Sequence, residues 1–150
     1  MKIGVIQASS QIEKNNILYE CTKDYGEVIN FGCFEDEENY SYVEIALEIC
    51  LLISSQAVDF IVTGCSSGQG MMIACNSLPN LICGYLPTPQ DAYLFGRIND
   101  GNVASFPLGL NYGWAGEINL KATLQQLFEE PFGIGYPLKD VKRKREDTKK

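Results

Sequence analysis

The sequence contains no histidine. Histidine is the side chain that most often transfers protons at neutral pH, and it is also the commonest metal ligand. Any proton transfer must therefore use cysteine, aspartate, glutamate, lysine or tyrosine. A metal site is not expected for the same reason, and no motif predicts a cofactor.

The chain also lacks an apolar run long enough to span a bilayer, which takes about 20 residues. Its most apolar segment, 45–53, is interrupted by Glu48. The six cysteines are scattered singly, without the C-x-x-C spacing of zinc and redox sites, and no secretory signal precedes them. We therefore expect a cytoplasmic protein with reduced thiols and no membrane partner.

Basic residues are scarce outside the C-terminus. Residues 139–150 hold seven of the twelve basic and three of the nineteen acidic residues, which leaves five basic and sixteen acidic residues in the rest. Binding nucleic acid needs a basic face that neutralises phosphates, so nucleic acid is not expected as a partner. We expect one α/β domain over 1–138 and a charged, solvated tail over 139–150.

The most informative stretch is 59–76, D-F-I-V-T-G-C-S-S-G-Q-G-M-M-I-A-C-N. It predicts a strand over 60–63, a glycine-rich turn and a helix over 71–76. Such a turn lets backbone N–H groups approach an anionic group, and the helix directs its positive end to the same point. Cys65 lies in this turn, where a helix N-terminus favours a thiolate. We interpret Cys65 as a base or nucleophile; the alternative is a small buried residue at a strand end.

Strand and helix patterns alternate along the chain. Strands are predicted at 2–8, 27–34, 60–63, 81–86 and 102–107, and helices at 11–25, 42–55, 71–76, 90–98 and 116–130. This alternation predicts an α/β fold: a three-layer, Rossmann-like, five-stranded parallel sheet with helices on both faces. Ligands of such sheets bind at the carboxyl ends of the strands.

Local patterns make three finer predictions. Ser9 and Ser10 are expected to cap the first helix. Spacings of three and four predict the inward side of helix 42–55 and of helix 116–130. The predicted inward residues are Val43, Ala46, Leu47, Cys50, Leu51 and Ser54 in the first, and Ile118, Leu120, Leu124 and Leu127 in the second.

Three motifs resemble those of the family of type B ribose-5-phosphate isomerase and galactose-6-phosphate isomerase. That family carries C-G-T-G-x-G, then an A-N pair, and later H-N-x-x-N. The chain has C-S-S-G-Q-G at 65–70, C-N at 75–76 and I-N-D-G-N at 98–102. It departs from the family where Ala8-Ser9 replaces an Asp-His pair and where Ile98 replaces the histidine that opens the sugar ring.

The resemblance implies a cofactor-independent isomerase that interconverts aldose and ketose phosphates through an enediolate. Cys65 would move the proton, while backbone N–H groups of 67–70 and the amide of Asn99 would stabilise the negative oxygen. It also implies a homodimer or homotetramer with the site at the subunit interface, and we expect the last helix and Trp114 to help form it. The implied catalytic residues are Cys65, Ser67 and Asn99, and the implied substrate-binding residues are Ser9, Ser66, Gly68, Gln69, Gly70, Arg97 and Asn102.

The substrate and two other functions stay open. Arg97 is the candidate cation because it alone among the basic residues before 139 lies beside a matched motif. Loss of both family histidines favours an open-chain sugar phosphate, which needs no ring opening. One alternative is a phosphoryl carrier, although in carriers the cysteine follows the first strand. The other is a non-catalytic subunit that completes the site of another chain.

Overall fold

Five strands form a single parallel sheet in the computed structural model, which describes residues 1–35, 40–110 and 112–134. Neighbouring strands are all parallel, and their order is β2-β1-β3-β5-β4 with β3 in the centre. The predicted tail 139–150 lies outside the described residues. The strands are β1 (Lys2–Ile6), β2 (Glu27–Gly32), β3 (Phe60–Cys65), β4 (Cys83–Tyr85) and β5 (Val103–Pro107).

Five α-helices connect and cover these strands. A 3₁₀ segment (Ser9–Lys14) precedes the first helix and another (Lys23–Tyr25) follows it, and a π-helical turn (Phe95–Asn99) continues the fourth. Thr88 caps the fourth helix by accepting the N–H of Asp91 through its hydroxyl (3.3 Å). The helices are α1 (Asn15–Thr22), α2 (Tyr42–Ser54), α3 (Gln69–Asn76), α4 (Pro89–Leu94) and α5 (Gly116–Phe128).

Side chains that alternate along β3 divide the core into two layers. Phe60 and Val62 pack in the cluster that includes residues of α1, α4 and α5, whereas Ile61 and Cys65 pack in the cluster that includes residues of α2 and α3. Successive residues of a strand point to opposite faces of a sheet, so every residue of the central strand is buried. The three-layer α/β fold predicted from the sequence is confirmed.

The order of the strands makes the end of the sheet beside Cys65 the expected place for a ligand. The chain leaves β1 to form β2 on one side and then crosses to form β3 on the other side of β1. The loops that follow β1 and β3 therefore diverge at their carboxyl ends, which is where open α/β sheets bind ligands. Cys65 is the last residue of β3.

The predicted inward side of α2 is largely wrong. Ile45, Ala46 and Ile49 are its buried residues, whereas Leu47 is 50% exposed and Leu51 is 69% exposed. The helix is apolar almost all round, so two apolar faces fit the same spacing. The exposed side is the one that carries Glu44 and Glu48, because a buried carboxylate without a partner is costly.

Three further local predictions need correction. Ser9 and Ser10 make no capping hydrogen bond, because the residues around them form the 3₁₀ segment and α1 begins only at Asn15. Helix α3 begins at Gln69, two residues before the predicted start. Ile118 is 73% exposed on α5, while Leu120, Leu124 and Leu127 are buried as predicted.

Candidate active site

The thiol of Cys65 is held at the N-terminus of α3. The backbone N–H of Gly68 donates a hydrogen bond to Cys65 Sγ at 3.2 Å, and α3 begins at the next residue. Gly68 has φ +82°, and a Cβ there would lie 2.9 Å from the ring of Tyr85. The turn therefore requires glycine both for its left-handed backbone and for its close contact with β4.

Other hydrogen bonds fix the turn itself. Ser105 Oγ, from the middle of β5, donates to the carbonyl of Gly68 at 2.7 Å. The N–H of Gln69 donates to Ser67 Oγ at 3.2 Å. Two of the four N–H groups expected to face the substrate, those of Gly68 and Gln69, are thus engaged within the turn, and the first of them stabilises negative charge on the sulfur.

The loop after β1 joins the turn at its outer side. The N–H of Ala8 donates to the carbonyl of Gly64 at 3.0 Å. Gln11 Nε2 donates to Ser66 Oγ at 3.0 Å, and Ser66 Oγ donates to Ser10 Oγ at 3.4 Å. The structure therefore brings the first loop and the cysteine turn into contact.

Ser9 binds the loop that follows β2. Its Oγ accepts the N–H of Tyr40 at 2.6 Å and contacts Cys33 Sγ at 3.6 Å. Ser9 is thus placed beside the candidate site, with its hydroxyl used to hold neighbouring backbone. Its role in substrate binding stays a prediction.

A buried network of side-chain amides holds the loop that follows β1 in place. Gln7 Nε2 donates to the carbonyl of Cys33 (3.0 Å), and Gln7 Oε1 accepts from Asn15 Nδ2 (2.6 Å). Asn15 Oδ1 accepts in turn from Asn30 Nδ2 at 2.8 Å. Both amide atoms of Gln7 are satisfied, as is usual for a buried structural side chain.

The environments of other cysteines suit packing. Burial raises the pKa of the Cys21 thiol. A hydrogen bond shared with Cys75, together with burial, raises the pKa of Cys83. These two thiols stay protonated at neutral pH, so neither is a candidate for the base.

Arg97 does not reach Cys65, which corrects its assignment as the substrate cation. Its side chain is 2% exposed, and its guanidinium donates to the carbonyls of Gln126 (2.7 Å) and Leu127 (3.4 Å) at the end of α5. It also lies over the ring of Tyr93, 5.0 Å from the centroid. The positive charge therefore serves the negative end of α5.

Asn99 and Asn102 also lie away from the Cys65 of their own chain. Cys65 pairs with Pro107 and Ile61 with Val103, so residues before Val103 stand about 13 Å away along the strands. The amide of Asn102 bonds the N–H of Ile82 (2.9 Å) and the carbonyl of Asn80 (2.7 Å). Both amide atoms of Asn102 thus hold the segment before β4, and its role in substrate binding stays a prediction.

Four residues near the turn were not found by sequence reasoning. Gln11 and Ser10 bond a residue 55 or 56 positions later, so no local pattern marks them. The ring of Tyr42 lies against Gly70, 3.3 Å from where a Cβ would stand. Ser105 did carry a signal, since a lone serine inside the apolar run V-A-S-F predicts a hydroxyl with a particular partner.

The described residues contain neither a candidate metal site nor a candidate membrane span. Within 1–35, 40–110 and 112–134, no group of three or more histidine, cysteine, aspartate or glutamate residues is placed to hold a metal ion. No helix in that same part of the chain is long and apolar enough to cross a membrane.

The fold and the site together define a Rossmann-like α/β protein with a candidate acid–base cysteine at its switch point. The family model for ribose/galactose isomerases matches residues 3–133, and the chain belongs to that family. This confirms the resemblance seen in the motifs. No curated protein matches the chain.

Three solved structures illustrate its relatives. A 4-deoxy-L-threo-5-hexosulose-uronate ketol-isomerase complexed with a tartrate is 39% identical (TM-score 0.90), over 99% of this chain and 73% of that chain. A ribose-5-phosphate isomerase from Vibrio parahaemolyticus is 34% identical (TM-score 0.90), with the same two coverages. Another from Thermotoga maritima is 25% identical (TM-score 0.73), over 97% of both chains.

Proposed function

We propose that this protein is a cofactor-independent aldose–ketose isomerase in which Cys65 transfers the proton. The observation that carries the proposal is the hydrogen bond from Gly68 N–H to Cys65 Sγ at the start of α3. In this proposal the sulfur acts as the thiolate, which is the form that removes a proton. Membership of the isomerase family supplies the reaction class.

The reaction needs one base and a set of hydrogen-bond donors. The thiolate removes the proton from the hydroxyl-bearing carbon beside the carbonyl, and an enediolate forms. The proton of that hydroxyl passes to the former carbonyl oxygen, and the thiol returns the carbon-bound proton to the former carbonyl carbon. Negative charge develops on oxygen in the intermediate. The N–H groups of Ser67 and Gly70 and the hydroxyl of Ser67 are the donors proposed for it, and a comparable donor contributes about 2.7–4 kcal/mol.

The substrate is proposed to be an open-chain sugar with an acidic group. The chain has no histidine to open a ring, and Arg97 is committed to α5. Lys14, in the loop after β1, is the nearest basic residue in sequence to the first-loop contacts; its Nζ lies 4.4 Å from the ring centroid of Tyr112. Lys14 Nζ also lies 3.8 Å from Glu13 Oε1, and a single cation of this kind would match a carboxylate at least as well as a phosphate.

A single cation for the acidic group favours sugar acids as a second substrate class beside sugar phosphates. The relative that is 39% identical acts, by its name, on a uronate, which carries a carboxylate and no phosphate. The relative from Vibrio parahaemolyticus acts, by its name, on ribose 5-phosphate. Both classes therefore belong in the test, with sugar phosphates and sugar acids compared directly.

A second subunit is proposed to complete the site. Asn99 is exposed. It lies at the amino end of the strands, whereas Cys65 of the same chain lies at their carboxyl end. A homodimer or homotetramer in which Asn99 of one chain faces Cys65 of another would supply the amide that the single chain lacks. Asn99 is therefore kept as a proposed catalytic residue across the interface.

The test is hydrogen exchange at C1 and C2 of candidate substrates in deuterated water. The panel contains ribose 5-phosphate, a tetrose phosphate and 4-deoxy-L-threo-5-hexosulose uronate. We expect exchange with an open-chain member, and we expect Cys65→Ala to lower kcat by about 10²–10⁴-fold while the protein stays folded. Cys75→Ala, which changes a buried thiol of α3, is expected to cost stability and to leave the kcat of the folded protein unchanged.

The outcomes separate the functions. Exchange of ribose 5-phosphate at a kcat of about 10 s⁻¹ would show that the open-chain argument is wrong and would leave the isomerase standing. Exchange that persists in Cys65→Ala would remove the cysteine mechanism. No exchange with any member would favour the phosphoryl carrier or the non-catalytic subunit.

A further inference from the structure

Gln11 is a buried side chain with an unusual hydrogen-bonding state. It is 8% exposed, and the bond from its Nε2 to Ser66 Oγ, at 3.0 Å, is the one side-chain hydrogen bond that it makes within the described part of the chain. Its Oε1 is buried without a partner among those residues. Gln7, four residues earlier, is fully buried and uses both of its amide atoms.

The bond to Ser66 has a direction. An amide NH₂ can only donate, so Gln11 occupies a lone pair of the Ser66 hydroxyl and leaves its proton to be donated elsewhere. That proton is directed at Ser10 Oγ, 3.4 Å away, in the exposed part of the loop. The contact is long for an O–H···O hydrogen bond, so a better acceptor can replace Ser10.

We propose that Gln11 is a positioning residue that turns the hydroxyl of Ser66 into an outward hydrogen-bond donor for the substrate oxygen beside Cys65. The inference rests on the proposed isomerase function and adds a donor to it. Ser66 directly follows Cys65, and it stands where the family motif has glycine. The hydroxyl donor of Ser66 is therefore not part of the family motif, and it occurs in a chain that lacks the family's two histidines.

The orientation of the amide is consistent with this role. With Oε1 and Nε2 exchanged, Ser66 would donate inward to Oε1, and an NH₂ group would take the place of the buried oxygen, which has no hydrogen-bond partner among the described residues. An orphaned buried N–H is rarer than an under-satisfied carbonyl, so the orientation in which Nε2 faces Ser66 is preferred. The unpaired Oε1 also indicates that stability alone does not explain this glutamine.

Gly109 makes room for the amide. A Cβ on Gly109 would stand 2.7 Å from Gln11 Nε2 and 3.2 Å from Cδ. The N–H of Gly109 also donates to the carbonyl of Ser66 at 3.1 Å. The segment after β5 thus holds Ser66 by its backbone while leaving space for the side chain that orients its hydroxyl.

The experiment compares Gln11→Met, Ser66→Ala and the double variant by hydrogen exchange with the best substrate of the panel. Loss of a donor that acts on the developing oxyanion lowers kcat and leaves KM nearly unchanged. We expect Ser66→Ala to lower kcat about 100-fold, in the range for such donors. Gln11→Met, which frees the hydroxyl to rotate, is expected to lower kcat about tenfold.

The double variant tests whether Gln11 acts through Ser66. If it does, Gln11→Met in the Ser66→Ala background has no further effect, since the hydroxyl that it orients is gone. Effects that multiply would overturn the proposal. A kcat of Gln11→Met within about threefold of the wild-type value would overturn it too, because this change is smaller than the loss of one hydrogen bond to a charged group.

Two further variants separate positioning from folding. Gln11→Glu replaces the donor by a carboxylate that accepts from Ser66 and turns the hydroxyl inward, so it should be at least as slow as Gln11→Met. Gln7→Met is the matched control, and it should lower the thermal midpoint while the kcat of the folded protein stays near wild type. Gln11→Met should lower the midpoint less than Gln7→Met does, because it removes one hydrogen bond together with an oxygen that has no partner among the described residues.

Failure of the proposed function is recognised separately. If the wild-type protein exchanges hydrogen with no member of the panel, the isomerase proposal fails, and Gln11 is then judged by calorimetric binding of tartrate. A tenfold weaker affinity in both Gln11→Met and Ser66→Ala, with no further loss in the double variant, would support the donor. Equal affinities, including no binding by any of the proteins, would overturn it.

Discussion

At the scale of single residues, position in the fold distinguishes Cys65 from a more exposed thiol. Cys65 is 7% exposed and accepts the N–H of Gly68. Cys50 is partly exposed, and its thiol donates to the carbonyl of Pro79 at 3.4 Å. We therefore expect iodoacetamide near neutral pH to modify Cys65 several-fold faster than Cys50, because the thiolate is the reactive species.

Mass spectrometry of peptides over a time course measures the two rates in one sample. Cys50→Ser is the control, since it removes the exposed thiol and should leave the rate at Cys65 unchanged. Faster modification of Cys50 than of Cys65 would show that exposure decides reactivity and that Cys65 is not activated. Cys21 and Cys83 should react last, because burial, and for Cys83 also its bond to Cys75, raises their pKa.

At the scale of elements, the junction of α4 and α5 depends on a buried cation. Arg97 donates to two carbonyls at the end of α5, where carbonyls have no partner within the helix. We expect Arg97→Met to lower the free energy of unfolding by about 2–4 kcal/mol, since a charge-assisted bond is worth about 1.5–3 kcal/mol and packing is also lost. Urea unfolding measures the change.

The same variant checks the corrected role of Arg97. The folded protein should retain the wild-type KM for the best substrate, because the guanidinium faces α5 and not the cysteine turn. A raised KM with unchanged stability would restore Arg97 as a substrate cation. Arg97→Lys is the matched control and should lose part of the stability, because lysine keeps the charge but cannot reach two carbonyls with one planar fork.

The elements also show which sequence signals were sufficient. Strand β3 was predicted because Phe60 to Val62 is apolar and β-branched or aromatic, and Gly64 marks the approaching turn. Helix α2 was found at its correct bounds, but its buried side was not, since Leu47 and Ile49 are equally apolar and only the sheet decides between them. Spacing identifies a helix, whereas packing selects its inward face.

At the scale of the whole molecule, the fold could be predicted and the site only in part. The alternation of strands and helices was enough for the parallel sheet, because few arrangements satisfy it. The position of Cys65 at the start of α3 was predicted because its turn is local, and its role stays a prediction. Gln11 was missed and Arg97 misassigned because their partners lie 55 and about 30 positions away, and the direction of a side chain is set by tertiary contacts.

The last prediction concerns assembly. Helix α3 starts beside Cys65 and ends at Asn76, whose amide bonds the backbone of Cys83 at the start of β4. It thus runs from the carboxyl end of the strands, where Cys65 lies, to their amino end, where Asn99 lies. A twofold axis across this flank would bring Asn99 of each chain to Cys65 of the other. Ile73, 61% exposed in the middle of α3, would then be buried.

We therefore expect at least a dimer by light scattering at micromolar concentration. We expect Ile73→Asp to give monomers that have lost Cys65-dependent exchange, because a carboxylate in an apolar interface is costly. Ile118→Asp is the comparison, since Ile118 is similarly exposed on α5 beside Trp114. If the last helix joins dimers into a tetramer, Ile118→Asp leaves active dimers. If the last helix instead forms the interface that carries the site, as the sequence predicts, Ile118→Asp is the inactive variant. A wild-type monomer with full activity would contradict the shared site, since Asn99 cannot then reach a second Cys65.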